Sequence, residues 1–464
     1  GAWSGWEAFA PTQSWLLSPG EGLKTVSVQL RDEAGNIRAD VDTITLDTAA
    51  PTILGVTDGG LYNTDVTITW NEPTATAKLN GAAFTSGTVV TDEGSYSLVV
   101  TDPAGNTALA AFEIDKTAPN GTVSINAGAA YTTSTAVNLT IDNPDTTAEE
   151  MRFQNESGAW SGWEAVGLTK SWTLDTGDGT KTVNVQLRDA AGNVMGTSDT
   201  ITLDTVAPTI LNVINGGLYN TDQTLDWTEG SGDLNGSPVS QGDTLSADGV
   251  YTLTVTDLAG NSASVTFEID KTAPDGTVSI QAGASYTTST AVDLTIANPD
   301  GTAVQMRFQN AGGAWSGWEA FAPTKSWTLD TGDGTKTVNV QLQDTAGNVS
   351  TESDTIELDT TPPDRSIAIN GSATHTNSTS VTLTLDNPDG TAVEMQFQNE
   401  SGAWSAWEPY VASKSWTLST GDGTKTVNMQ LRDAAGNAAS ASDTITLDTV
   451  APTILNVTDG GLYN

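Results

Sequence analysis

The feature that most constrains this chain is that it repeats itself at two periods. A Leu-Asp-Thr-x-x-Pro or Ile-Asp-Lys-Thr-Ala-Pro phrase ends at prolines 51, 119, 208, 274, 363 and 452. Successive prolines lie 68, 89, 66, 89 and 89 residues apart. Residues 1–50 match the back of the long repeat without a gap, Gly1 aligning with Gly313. The expected organisation is therefore a partial long module (1–50), a short one (51–118), a long one (119–207), a short one (208–273), two long ones (274–362 and 363–451) and the start of a short one (452–464). The chain opens and closes inside repeats, so it is expected to be a window cut from a longer protein.

Repeats of 66–89 residues exceed the roughly 20–50 residue periods of solenoids and propeller blades and suit small sandwich domains. Local pattern agrees. Val137, Leu139 and Ile141 alternate with Asn138, Thr140 and Asp142, and Val183, Val185 and Leu187 alternate likewise. In the short repeat Val66, Ile68 and Trp70 do the same, as do Tyr96, Leu98 and Val100. Period-two alternation in Thr/Val/Ile runs punctuated by Gly, Asn, Asp and Pro predicts strands, and no helical period competes. The predicted class is all-β: tandem β-sandwiches of two types in an extended string, with about seven strands in the long form and fewer in the short. There is no cysteine, so core packing, loop chemistry or ions must hold each module. Trp172 and its counterparts Trp15, Trp327 and Trp416 are expected to supply much of each modest core.

Lys plus Arg number 17 against 57 Asp plus Glu, a net charge of −40. That excludes the cationic grooves that nucleic acids need and disfavours anionic membrane surfaces. It favours solubility and divalent cations, and it also fits a saline habitat. No apolar run approaches the roughly 18–20 residues that span a bilayer. His375 is the sole histidine; with no cysteine, no Ser-His-Asp or Cys-His set and no zinc site of the usual His/Cys type is expected, and the chain is not expected to be an enzyme. Paired carboxylates recur at turns in every module, whereas a catalytic pair is expected once, in a cleft.

The most repeated phrase is Asp-x-Ala-Gly-Asn, between two strand-like runs. One reading is a plain hairpin turn: Asp closes an Asx turn, Gly takes φ > 0 and Asn tolerates the left-handed region. A second reading follows from topology. In a seven-strand sandwich of alternating direction, the last hairpin lies at the pole where the preceding linker enters. That pairs Asp47 with Asp102 and Asn106; Asp115 with Asp189 and Asn193; Asp204 with Asp257 and Asn261; Asp270 with Asp344 and Asn348; and Asp359 with Asp433 and Asn437. In long modules Asp145, Asp300 or Asp389 reaches the same pole. Such oxygen clusters suit Ca²⁺, a hard ion taking six to eight oxygens, and these residues are the candidate metal ligands that would stiffen the junctions.

A second acidic loop, Gly177-Asp-Gly179, recurs at Gly332–Gly334 and Gly421–Gly423, and as Gly20-Glu-Gly22 in the first, partial module. It is read as a tight turn. Trp160-Ser-Gly-Trp163 recurs as Trp3/Trp6, Trp315/Trp318 and Trp404/Trp407. A spacing of three places the two rings on opposite faces of a regular strand, one in the core and one at an edge, where it could stack on a sugar or a neighbouring chain.

The phrases Ala-Gly-Ala-Trp-Ser-x-Trp-Glu, Lys-Ser-Trp-Thr-Leu, Gly-Asp-Gly-Thr-Lys-Thr-Val and Asp-x-Ala-Gly-Asn resemble the long bacterial Ig-like repeats of large extracellular surface and adhesin-type proteins. The short module resembles companion Ig-like repeats through Asp58-Gly-Gly-Leu-Tyr-Asn63 and Phe112-Glu-Ile-Asp-Lys-Thr-Ala-Pro119. The resemblance covers essentially the whole chain. It implies Ig-like sandwiches, a cell-surface or secreted setting, and a non-catalytic extender often stiffened by Ca²⁺ between domains. Its partners would be neighbouring modules of the same chain, other copies in a fibre, and a host or glycan surface met through parts outside this sequence. A strand of about ten residues is about 33 Å long, so each module would add roughly 35–40 Å and the whole would extend on the order of 200 Å. Two alternatives stay open: a self-assembling extracellular filament subunit, and a spacer or carbohydrate-binding region of a secreted polysaccharide-degrading enzyme.

Overall fold

A computed structural model describes residues 1–156 and 158–453. All but the first two residues of the partial repeat expected at 452–464 therefore lie outside the described residues. The chain divides into two compact units, residues 1–208 with 256–263, and residues 209–255 with 264 onward.

The long repeat at 119–207 shows why these sequences make sandwiches. Its strands run, in order, Thr122–Ile125, Tyr131–Thr132, Ala136–Asp142, Ala148–Asn155, Glu164–Ala165, Thr169–Thr173, Gly179–Asp189 and Val194–Leu203. The first, third and sixth form one sheet; the second, eighth, seventh, fourth and fifth form the other. Only the short second strand pairs in parallel, Tyr131 with Thr202 and Thr132 with Leu203. The alternation read from sequence supplies both inner faces. Val137, Leu139 and Ile141 from one sheet meet Val183, Val185 and Leu187 from the other, around a fully buried Phe153. Phe308 and Phe397 occupy the same place in the next two long repeats.

The tryptophan expectation needs correcting. Trp172 is half-buried and lies over the edge of this core, its ring 5.4 Å from Phe153. Its indole Nε1 donates to Asn155 Oδ1 at 2.6 Å, and Trp327–Asn310 and Trp416–Asn399 repeat the bond at 2.6 Å. The indole N–H needs a polar partner, so the ring stays at the rim and phenylalanine takes the centre. Trp15, in residues 1–50, is exposed.

The short repeat at 51–118 also has eight strands, Ile53–Leu54, Gly60–Tyr62, Val66–Trp70, Thr76–Leu79, Ala82–Phe84, Thr88–Val90, Gly94–Thr101 and Thr107–Ile114. They pair in the same first-third-sixth and second-eighth-seventh-fourth-fifth orders. The short module is thus the long fold with shorter strands, not with fewer. In the repeat at 208–273 the first strand shrinks to one bridge, Ile210 to Trp227. Trp70 and Trp227 are buried in these smaller cores beside Phe112 and Phe267.

Residues 1–50 carry only the last hairpin, Gly22–Arg31 with Ile37–Leu46. Val26, Val28, Val41 and Ile44 line an open depression of about 390 Å³ there. The counterparts Val183, Val185 and Ile201 in the 119–207 repeat are at most 1% exposed under the opposing sheet. Among the described residues no helix is long and apolar enough to cross a membrane.

Candidate functional site: the repeat junctions

The seventh and eighth strands form the longest hairpin of each repeat, and their turn is the Asp-x-Ala-Gly-Asn phrase. In the turn ending at Asn193, the Asn193 backbone N–H donates to Asp189 Oδ1 at 2.8 Å and its Nδ2 donates to Asp189 Oδ2 at 3.0 Å. At Asp102 the donors are Gly105 N–H at 2.7 Å, Asn106 N–H at 2.9 Å and Asn106 Nδ2 at 2.8 Å. The carboxylates of Asp102, Asp189, Asp257, Asp344 and Asp433 are buried. Burial works to raise Asp102 and Asp257, but donation by Asn106 and Asn261, side chain and backbone, outweighs it and holds both below the usual carboxylate range. The glycines take the left-handed region, for example Gly105 at φ 97° and Gly192 at φ 92°, and the asparagines do not. Asn stands in this turn for its amide rather than for tolerance of positive φ.

That amide does a second thing. Asn193 Nδ2 also donates to the backbone carbonyl of Asp115, the linker residue of the preceding repeat, at 2.7 Å. The bond recurs at every junction among the described residues: Asn106 to Asp47 at 3.0 Å, Asn261 to Asp204 at 2.9 Å, Asn348 to Asp270 at 2.7 Å and Asn437 to Asp359 at 2.8 Å. The other end of the same peptide group is held from the preceding repeat. The N–H of Lys116 donates to Glu93 Oε1 at 2.7 Å. Thr48 N–H donates to Glu21 at 2.9 Å, Thr205 N–H to Asp178 at 3.1 Å, Lys271 N–H to Asp248 at 3.1 Å and Thr360 N–H to Asp333 at 2.9 Å. One planar peptide per junction therefore has its N–H taken by the repeat before it and its C=O taken by the repeat after it. Because a peptide is rigid about its C–N bond, gripping both ends orients that group.

Further bonds surround this peptide. The linker Asp closes its own Asx turn, as in Thr117 N–H to Asp115 Oδ1 at 3.0 Å. In long repeats the loop after the third strand receives the entering chain: Asn120, Asp275 and Asp364 N–H donate to Asp145, Asp300 and Asp389 at 2.6, 2.7 and 2.6 Å. These bonds hold Asp300 and Asp389 below the usual range. The Thr361 and Thr360 hydroxyls do the same for Asp333, and the Thr48 hydroxyl for Glu21.

The structure thus brings each of the five sequence-paired sets together. Their carboxylates, however, chiefly accept N–H and O–H donors. In one place only among the described residues do three carboxylate oxygens converge within 4.8 Å, at Asp47, Glu72 and Asp102. Burial, then the charges of Asp102 and Asp47, push Glu72 up. Three anionic oxygens in that space are a donor set a hard cation would fit. Asp204, Glu229 and Asp257 are the same residue types in the second short repeat, but Glu229 is exposed and does not converge.

Sequence reasoning missed Glu72 and the upstream acids. The Gly-Asp-Gly loop, read as a tight turn, is one half of the junction clamp. A signal was present: Glu21, Asp178, Asp333 and Asp422 each precede a linker Thr by 27 residues. The Trp pairs also differ from expectation. Trp160 and Trp163 lie in a segment without regular strand structure and clasp one guanidinium. Arg152 Cζ is 4.9 Å from the Trp160 ring and 4.4 Å from Trp163, and Arg188 stacks on Trp163 at 4.3 Å. Neither ring enters the core, because the cation–π ladder runs on the outer face of the five-stranded sheet.

No protein-family model matches the chain, and a search of curated proteins finds no match. Among solved structures, the chain is similar to a tetra-tandem repeat from the extending region of a large adhesion protein, at 21% identity over 72% of this chain and 100% of that one, with a TM-score of 0.26. It is also similar to fibronectin(III)-like modules of Clostridium thermocellum CbhA, at 12% identity over 37% of this chain and 93% of that one, TM-score 0.28. A third is Bacteroides ovatus SGBP-B in complex with a mixed-linkage heptasaccharide, at 15% identity over 61% of this chain and 92% of that one, TM-score 0.15. The sheets described above make the fold a tandem array of Ig-like β-sandwiches.

Proposed function

We propose that the chain is a structural, non-catalytic extender of a bacterial cell-surface adhesin or extracellular fibre. The observation that carries this reading is the doubly held junction peptide, repeated five times with an Asn amide on its carbonyl and an Asp or Glu carboxylate on its N–H. A binding or catalytic module needs one well-made cleft; a spacer needs joints that do not swivel. The linkers support the same reading, since each carries proline and none is a Gly/Ser tract. The high negative charge keeps such an array soluble and free of lateral collapse.

Calcium is an addition to this scheme. The proposed ion lies at Asp47, Glu72 and Asp102, where it would neutralise three carboxylates at one junction. At the junctions of Asp115, Asp204, Asp270 and Asp359, hydrogen bonds carry the stiffness and any ion would be supplementary. Electron microscopy of single particles tests the extender. Rods with a contour on the order of 200 Å are expected from strand lengths; globular particles under about 100 Å would refute it.

A further inference from the structure

On the outer face of the five-stranded sheet, the 119–207 repeat has a glycine, Gly196, where both sister long repeats carry a hydroxyl residue. Two transverse rows cross it: Gln154–Asn184–Ser198 and Arg152–Gln186–Gly196. In the next long repeat Thr351 stands where Gly196 does, and Gln341 Nε2 donates to its hydroxyl at 3.1 Å. In the last, Ser440 takes the bond from Gln430 at 3.1 Å. There Asn339 and Asn428 also donate to Gln309 and Gln398 at 3.2 and 3.4 Å, so both surfaces are closed networks.

In the 119–207 repeat that network is open. Gly196 offers no acceptor, and nothing lies within 4 Å of where its Cβ would stand. Asn184 donates to the Glu156 carbonyl at 3.0 Å, as Asn428 does to Glu400 at 2.8 Å, but among the described residues it makes no bond to Gln154. Gln186 keeps its oxygen on Arg152 Nε at 2.7 Å, and among the described residues nothing takes its amide donors or the Gln154 oxygen. The result is an open groove of about 330 Å³ with Trp160 as one wall and Gly196 in its lining.

We propose that this groove binds one residue of a neutral glycan. An indole face packs the C–H face of a pyranose, because its negative quadrupole meets the slightly positive C–H bonds. Gln154, Gln186 and Ser198 offer the paired donors and acceptors that hydroxyls require. The surrounding negative charge selects against acidic sugars. A shallow, open site binds weakly, so it works through many copies along a surface. The proposal goes beyond the extender reading, which stands whether or not this groove binds.

The test is saturation-transfer-difference NMR on the full chain with cellohexaose, maltohexaose and mannohexaose, and with polygalacturonate as the acidic comparison. Saturable transfer to at least one neutral hexaose is expected, at millimolar affinity. It should be lost in Gly196→Thr, which restores the hydroxyl of the sister repeats without backbone strain, and in Trp160→Ala. Thr351→Gly should add a second site of similar strength. No transfer from any neutral hexaose, transfer to polygalacturonate alone, or transfer unchanged in Gly196→Thr would overturn the assignment.

Discussion

Replacing Asn193 by alanine should loosen one junction and leave both neighbouring cores intact. Asn193 is not in the left-handed region, so alanine adds no strain, and its backbone bond to Asp189 persists. Two side-chain bonds are lost, one to the Asp115 carbonyl at 2.7 Å and one to the Asp189 carboxylate at 3.0 Å. A neutral bond contributes about 0.5–1.5 kcal/mol and one to a charged partner about 1.5–3 kcal/mol. Water can reach this half-buried site and replace part of that, so the net cost is taken as roughly 2 kcal/mol. The assay is amide hydrogen exchange on the full chain. Lys116 N–H belongs to the same peptide as the Asp115 carbonyl and donates to Glu93. Its local opening should become roughly 30-fold easier, at about 1.4 kcal/mol per tenfold. Asn193→Asp should do more, because a carboxylate would face both Asp189 and the carbonyl. If either variant speeds exchange only within residues 189–193, and leaves Lys116 and Thr117 unchanged, the amide serves its own turn and the two-sided grip is wrong.

Glu72→Gln should remove most of any Ca²⁺ binding seen by equilibrium dialysis, while the conservative change Glu229→Gln should not alter it; binding undiminished in Glu72→Gln would place the ion elsewhere. Acid should loosen the junctions. Glu21, Asp145, Asp300, Asp333 and Asp389 are held below their ordinary values in the folded chain, so their contribution is complete above roughly pH 4 and fades as pH falls through the folded values. Linker amide exchange, corrected for intrinsic rate, should therefore show falling protection below about pH 4 before the cores open; protection flat down to core unfolding would contradict it. Phe153→Ala, at a fully buried ring, should cost the 119–207 repeat about 3–5 kcal/mol in denaturant unfolding, several times the effect of Trp172→Phe, which keeps the ring and loses only the indole bond to Asn155.

The fold was legible because period-two alternation is a direct record of which side chains face a core. Val183, Val185 and Leu187 could be placed from spacing alone, and so could the poles at which Asp115 and Asn193 meet. Strand number was less legible. The strands Tyr131–Thr132 and Glu164–Ala165 of the long repeat, and Gly60–Tyr62 and Ala82–Phe84 of the short one, are too short to show alternation, so the eight-strand plan was hidden. Spacing also misled at Trp160 and Trp163, where the chain leaves the strand and wraps an arginine; the guanidinium partners, Arg152 on the preceding strand and Arg188 on the seventh, are set by sheet pairing and not by local spacing. Glu72 was invisible for a related reason. It belongs to a loop brought to Asp47 and Asp102 by tertiary packing, and its counterpart Glu229, two residues after Trp227 as Glu72 is after Trp70, does not converge with Asp204 and Asp257.

The most direct test of the account is small-angle scattering of the full chain in the presence of chelator, compared with a variant carrying alanine at Asn106, Asn193, Asn261, Asn348 and Asn437. With the five described junction peptides held from both sides, the parent should keep a maximum dimension on the order of 200 Å without Ca²⁺, and the variant should show the shorter, broadened distances of jointed beads while its cores stay folded. Parent and variant profiles that superimpose, or a parent that is already jointed until Ca²⁺ is added, would contradict the claim that hydrogen bonds at these peptides stiffen the array.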